Sequence, residues 1–333
     1  TPLYSSAASD VYKRQVTGTD SNYNLTLVNG SLVIGKAGLV VTADNKTRIY
    51  GDANPALTYT VTGYVNGESA SAHSGTPTLA TTAGLTSNVG NVAITAAANN
   101  LTANNYNFTY ASGTLAITPA ALTVTGANSN TTYSGVLQTN SVATVAGLKN
   151  SDSFTITGYA TGTNYNASAY ADTLLATPVS GTLAGNYNIS YTNGGLSIAK
   201  ANATVTANSS SVTYTGLNQS VSGFTASGLV NGQTAAVLSG VSASGANGTN
   251  AGTYTNTVSG TASNYNLTLV NGSLVIGKAN ATVTGNSASV TYTGQAQSVT
   301  GFTASGLVNG ETAAVLTGVT ASGATGTNAA TYT

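Results

Sequence analysis

Catalysis needs groups that titrate, attack or ligate, and this chain of 333 residues holds few: eight Lys or Arg, eight Asp or Glu, one His and no Cys. His73 sits in the polar run from Glu68 to Gly75 with no companion that would orient it as a general base, so it reads as an exposed, incidental residue. Six of the carboxylates fall in separate stretches of the repeats: Asp44, Asp52 and Glu68 in one, Asp152 and Asp172 in a second, Glu311 in a third. A glycosidase needs two carboxyls facing each other across a cleft, and nothing in these spacings supplies such a pair repeatedly. Calcium could draw oxygen ligands from Asp44, Asn45, Asp52 and Asn54. The run Asp52-Ala53-Asn54-Pro55 is also simple turn chemistry, and that reading is preferred. Without Cys there is no thiol nucleophile, disulfide framework or Cys-based metal site. The expectation is therefore no enzyme, with no catalytic, cofactor-binding or metal-ligating residue and no cofactor.

Tyrosine is the other chemically interesting residue, with 19 against four Phe, and it could stack on sugars or make adhesive contacts. Its placement points to structure instead. Asn-Tyr-Asn recurs at Tyr23, Tyr106, Tyr187 and Tyr265, and Tyr-Gly or Tyr-x-Gly recurs at Tyr50, Tyr133, Tyr214 and Tyr292. Both series advance in steps of about 80 residues, larger than most solenoid units and enough for a small core. The copying is close: Ala201–Thr255 and Ala279–Thr333 align without a gap and differ at 10 of 55 positions, and Ser21–Ala37 recurs letter for letter as Ser263–Ala279. Glu68, Asp152, Gln233 and Glu311 share the slot after the loops GYVNG, GLKNS and GLVNG. A Gln in that series means charge is not required, and the slot reads as turn capping.

Charged residues are 5% of the chain, against about a quarter in an ordinary domain. From Ala201 onward only Lys278 and Glu311 are charged, so Thr, Ser, Asn and Gly must wet the surface. With no cluster of Lys and Arg, nucleic-acid binding and a basic membrane patch are both disfavoured. No run of about 20 apolar residues exists to span a membrane as a helix. Richness in Val, Thr and Tyr argues for folded β structure over disorder.

In the copy Ala201–Lys278, short Val/Thr/Tyr-rich runs bounded by Gly, Asn or Ser give roughly seven strands (a sandwich or barrel pattern), and no stretch keeps a 3.6-residue period. One of these runs is Ala235–Gly240. Asn271-Gly272 between YNLTLV and SLVIGK reads as a type I′ hairpin turn, repeated at Asn29-Gly30, Asn193-Gly194 and Ser112-Gly113. Each repeat is expected to be a self-contained bead. A Lys or Pro marks every joint, at Lys36, Pro119, Lys200 and Lys278, where a charge keeps the strand edge wet. The expected layout is a non-native leader at 1–15 resembling read-through of a sequencing adapter, the end of a truncated repeat at 16–36, full repeats at 37–119, 120–200 and 201–278, and a truncated repeat at 279–333. The chain is read as a fragment of a longer protein.

Leu39 to Glu68, LVVTADNKTRIYGDANPALTYTVTGYVNGE, resembles the opening of the MBG modules that occur in tandem in very large bacterial surface proteins. Tyr50, Gly51, Asp52, Asn54 and Pro55 carry that signature, while Tyr133-Ser134-Gly135 and AGLKNSD make the next unit more similar to the related YDG modules. Later units keep Tyr-Thr-Gly and GLVNG but lack the Asp and the Pro. The resemblance covers Val16 to Thr333. It implies tandem Ig-like β-sandwich modules in an extended array, exported to the bacterial surface in adhesins resembling filamentous haemagglutinin. The functional expectation is a stalk or spacer of a secreted or surface-exposed adhesin, monomeric as an array. The alternative is repeated modules that bind a host or biofilm surface glycan or protein through avidity.

Overall fold

The computed structural model describes residues 16–333, so the expected leader at 1–15 lies outside the described residues. The expected all-β fold is present: the described residues hold strands and short 3-10 turns, with no α-helix. Strand formation follows the alternation of the sequence. In β1 (Ala37–Ala43) Leu39, Val41 and Ala43 are buried while Gly38 and Val40 face outward, the period of two that a pleated strand imposes.

The first repeat shows the plan. After β1 come β2 (Lys46–Ile49), β3 (Tyr59–Thr62), β4 (Thr78–Thr81), β5 (Gly90–Ala97), β6 (Tyr106–Ala111) and β7 (Gly113–Thr118). They form two sheets, ordered β3-β1-β6 and β2-β7-β5-β4. The first and last strands run parallel through both sheets: β1 pairs β6 from Ala37↔Tyr106 to Thr42↔Ala111, and β2 pairs β7 from Lys46↔Leu115 to Ile49↔Thr118. The third repeat follows the same plan, with Ala201–Ala207 parallel to Tyr265–Val270 and Ser210–Thr213 parallel to Gly272–Gly277.

That plan corrects the expected hairpins. The strands flanking Ser112-Gly113, Asn193-Gly194 and Asn271-Gly272 do not pair with each other; at each site the chain steps from one sheet into the next. The parallel partner takes the bonds a hairpin would have made. Glycine is needed there for close approach, since a Cβ on Gly272 would lie 2.4 Å from the carbonyl oxygens of Ala207 and Asn208. True Asn-Gly turns occur elsewhere. Asn66, Asn231 and Asn309 have φ of 54°, 53° and 52°, each followed by a glycine of positive φ, and Asn150-Ser151 adopts the same form. Ala235–Gly240, expected as a strand, contains a 3-10 turn at Ala235–Val237 that places Leu238 in the core.

Each β7-type strand runs through the joint into the first strand of the next repeat, here β8 (Ala120–Gly126). The core is built across that joint. Ile94, Leu115 and Ile117 of the first repeat cluster with Ala120, Leu122 and Tyr187 of the second. Leu196 and Ile198 of the second likewise cluster with Ala203, Val205 and Leu238 of the third. Modules of about 80 residues are thus present, but their packing is offset from the sequence period, with clusters that span the joints. The bead expected to bury its own core instead shares one core with each neighbour. The reason is the layout of the sheets: the face of β2-β7-β5-β4 that carries Ile94, Leu115 and Ile117 finds its apolar partners, Leu122 and Tyr187, across the joint. Consistently, the chain divides into two compact units, one up to Val124 with Val145–Ile156 and Ala176–Tyr191, the other Thr125–Thr144, Thr157–Leu175 and Thr192–Thr333. The second repeat is divided between them, the smaller part going to the first unit.

Candidate functional site at the repeat joints

The structure gathers the recurrent residues of the sequence at the joints. In the first unit, Tyr50 of the first repeat and Tyr187 of the second both donate their hydroxyls to Asp152 Oδ2, at 3.0 and 2.6 Å. The two rings meet edge to face with centroids 5.6 Å apart. In the second unit, Tyr265 donates to Gln233 Oε1 at 2.5 Å, and Gln233 Nε2 donates to the Tyr133 hydroxyl at 2.8 Å. Those rings are 5.4 Å apart, again edge to face. Glu311 accepts from Tyr214, and Glu68 from Tyr106. The slot side chain is therefore the hydrogen-bond partner of a tyrosine of its own repeat, a tyrosine of the preceding one, or both. An amide serves as well as a carboxylate because it offers one acceptor and one donor.

The Asn-Gly turn aims the slot. Its first carbonyl accepts the slot's N–H, as in Asp152 N to Lys149 O at 2.8 Å and Gln233 N to Val230 O at 3.0 Å. The same residue's N–H donates to the Asn-Tyr-Asn hydroxyl, from Lys149 to Tyr187 at 2.9 Å and from Val230 to Tyr265 at 3.1 Å. The Tyr-x-Gly turn of the preceding repeat docks onto this turn. Gly135 has a φ of +76° and no room for a side chain, since a Cβ would lie 2.9 Å from Asn231 Cβ, and its carbonyl accepts from Asn231 Nδ2 at 3.2 Å. Gly216 and Asn309 repeat the arrangement.

Two further ties were not legible as such. The first Asn of Asn-Tyr-Asn reaches back to the preceding repeat: Asn186 accepts from Val89 N at 3.0 Å and donates to Asn88, and Asn264 does the same with Tyr165 N and Asn164. The joint lysines, expected only to wet an edge, donate to carbonyls of the following repeat, Lys36 to Ala103 and Lys200 to Ala262, each at 2.9 Å. Lys149 of the second repeat also pairs with Asp52 of the first at 2.9 Å, a half-exposed bridge of small energetic weight.

The acid slot is a fair test of the latch. Asp152→Ala strands two largely buried phenols and is expected to cost about 2–3 kcal/mol, whereas Asp152→Asn, which copies the amide of Gln233, should cost under about 1 kcal/mol in denaturant melts. The Tyr187 phenol is pushed up to about 12, first by burial and then by its hydrogen bond to Asp152. A raised folded-state value stabilises fully below the free phenol's 10.0 and loses that contribution as pH climbs through 12. Unfolding at about pH 9 and about pH 12 should show that loss, reduced in Tyr187→Phe.

The remaining candidates lie apart from the joints or are occupied. Asp44 accepts from the Thr58 and Thr60 hydroxyls, at 2.5 and 2.8 Å, which hold its carboxyl below the usual value. Asn45 accepts from Thr114 N at 2.7 Å and Asn54 donates to Ala83 O at 2.7 Å. The four oxygen-bearing residues are thus engaged with separate partners. His73 is not the solvated loop residue expected: it stacks on Tyr64, with centroids 6.1 Å apart, and meets Phe108 edge on. Asp172 is fully buried and was missed. It accepts from Ala160 N at 2.7 Å, Gly194 N at 3.1 Å and Asn140 Nδ2 at 3.1 Å. Ile94 and Asn256 hold the corresponding place, opposite Gly113 and Gly272, in the first and third repeats.

Tandem all-β modules of similar length, joined by a repeated tyrosine latch, define a tandem sandwich-repeat protein. Residues 39–116 and 203–275 match the model of the MBG domain, YGX type, so those two segments are MBG repeat modules. No curated protein matches the chain. Among the described residues, no helix is long and apolar enough to cross a membrane.

Proposed function

We propose that the chain is a non-catalytic spacer of a secreted or surface-exposed bacterial adhesin, acting by holding successive modules in fixed register. The observation that carries this reading is the fate of the recurrent loops. GLKNS and GLVNG, the natural candidates for a repeated binding surface, have their polar turn atoms and slot side chains committed to the preceding repeat at Asp152, Gln233 and Glu311. Residues spent on a joint are not free for a ligand. Resemblance to modules of large surface proteins and a surface wetted by neutral polar groups support the same reading. Localisation at the bacterial surface, and the absence of catalysis, belong to the proposal.

Small-angle scattering on chains differing by one inserted copy of Ala201–Lys278 tests it. A maximum dimension growing by roughly 30 to 45 Å per copy is expected for modules in series. Growth as a flexible coil, or none, would reject the spacer.

A further inference from the structure

Asn followed by Gly is a pair that can modify itself. The Gly nitrogen, with no Cβ on its own residue to crowd it, closes on the Asn side-chain carbonyl carbon, and ammonia leaves from a five-membered imide. Water then opens the imide to aspartate or to isoaspartate, in which the main chain runs through the side-chain carboxyl carbon. Water is the only other reactant.

The full repeats hold five such pairs, and the fold sorts them. Three are held by the sheets. Gly194 N donates to Asp172 Oδ2 at 3.1 Å, Gly248 lies under the Tyr254 ring in the strand Ala246–Gly248, and Gly272 is wedged against the carbonyls of Ala207 and Asn208. Ring closure at Asn193, Asn247 or Asn271 would pull a strand from its place. Asn66-Gly67 and Asn231-Gly232 instead form exposed turns, with φ of 54° and 53° at the Asn and 76° and 66° at the Gly. The N–H groups of Gly67 and Gly232 make no hydrogen bond among the described residues, so no bond restrains the attacking nitrogen.

Asn231 has a second property. Its Nδ2 donates to Gly135 O at 3.2 Å, so the reactive amide is itself a tie to the preceding repeat. The first joint makes a similar tie with a different pair: Asn150 Nδ2 donates to Leu85 O at 3.1 Å, and Ser151 follows with a φ of 64°. This turn therefore does not require glycine at its second place, and a Cβ on Gly232 would meet nothing within 4 Å. The serine side chain crowds the attacking nitrogen, which slows ring closure relative to glycine.

We propose that Asn231 is a self-modification site that gives the joint between the second and third repeats a limited lifetime, while the joint at Asn150-Ser151 lasts. The Gly232 nitrogen bonds to Asn231 Cγ and loses its proton to solvent; the Cγ–Nδ2 bond breaks, and Nδ2 takes up a proton and departs as ammonia. Hydrolysis leaves a carboxylate where the donor stood, facing the Gly135 carbonyl. Two acceptors then oppose each other and the tie cannot re-form. The bond to Gly135 holds Nδ2 against departure, so ring closure proceeds in the moments when the joint opens. This chemistry holds whether or not the array is a spacer.

Incubation of the full chain in mildly alkaline buffer, which helps remove the proton of the attacking nitrogen, tests it by chymotryptic peptide mapping with mass spectrometry. Conversion is expected at Asn231 and Asn66, slower at Asn231 than in the synthetic peptide of residues 229–234, with little at Asn150, Asn193, Asn247 or Asn271. Gly232→Ser, which copies the turn of the second repeat, should leave Asn231 intact. Hydrogen exchange at 133–136 should rise on the order of tenfold in the converted chain and in Asn231→Asp, the change expected from one lost hydrogen bond, and should stay unchanged in Gly232→Ser. Asn231 still intact when the peptide has converted, equal conversion at Asn150 and Asn231, or exchange at 133–136 unmoved by conversion would each overturn the proposal.

Discussion

Leu122→Ala in the second repeat is expected to loosen the first repeat. Leu122 is fully buried among Ile94, Leu115 and Ile117, which belong to β5 and β7. Truncation removes its apolar contacts and leaves a cavity that two packed sheets close only partly, for a cost of about 3 kcal/mol within the usual 2–5. Hydrogen exchange at Gly90–Ala97 is the informative readout, because local opening energies are resolved there. Faster exchange in that strand is expected. Unchanged exchange, with loss confined to 120–200, would restore the self-contained bead and refute the offset core.

The second large effect is expected at Asp172. Asp172→Ala leaves the N–H groups of Ala160 and Gly194 and the amide of Asn140 without their acceptor in a site closed to water. Each buried donor without a partner costs about 1–3 kcal/mol, so a loss on the order of 4 kcal/mol is expected. Asp172→Asn should fall between, since its amide hydrogens oppose donors already pointing inward. Exchange at Gly195–Ala199 and Ala201–Ala207 should rise together, as those strands contribute to one core. A Leu at 172, following Ile94 of the first repeat, would fail where Ile succeeds, because the second repeat aims polar groups at this place.

Much of this architecture can be read from the letters. The strands, the period and the structural burial of Tyr106, Tyr187 and Tyr265 follow from alternation and repetition, both local properties. Partner choice does not. Asn271-Gly272 and Asn231-Gly232 are the same dipeptide, yet one passes between sheets and the other turns back, because only the first lies beside a parallel strand that claims its neighbours' hydrogen bonds. Residues 23–35 and 265–277 make the point more sharply: identical letters form strands only where Ala201–Thr213 lies alongside. The slot at Asp152 and Gln233 was visible as a series, but its role depends on a tyrosine one repeat earlier. Asp172 left no periodic trace, since Ile and Asn fill its place in the other repeats.

The parallel ladder of first and last strands also sets how a repeat meets a pull along the chain. Tension enters at the start of β1 and leaves at the end of β7, and between those points the chain is held by two parallel ladders, β1 with β6 and β2 with β7, whose strands run the same way. The bonds of each ladder are then loaded in shear, all at once. A hairpin of the same two segments would be peeled one bond at a time. Forced rupture is governed by the unfolding barrier, not by equilibrium stability, so these modules should resist stretching more than their thin, weakly charged cores suggest.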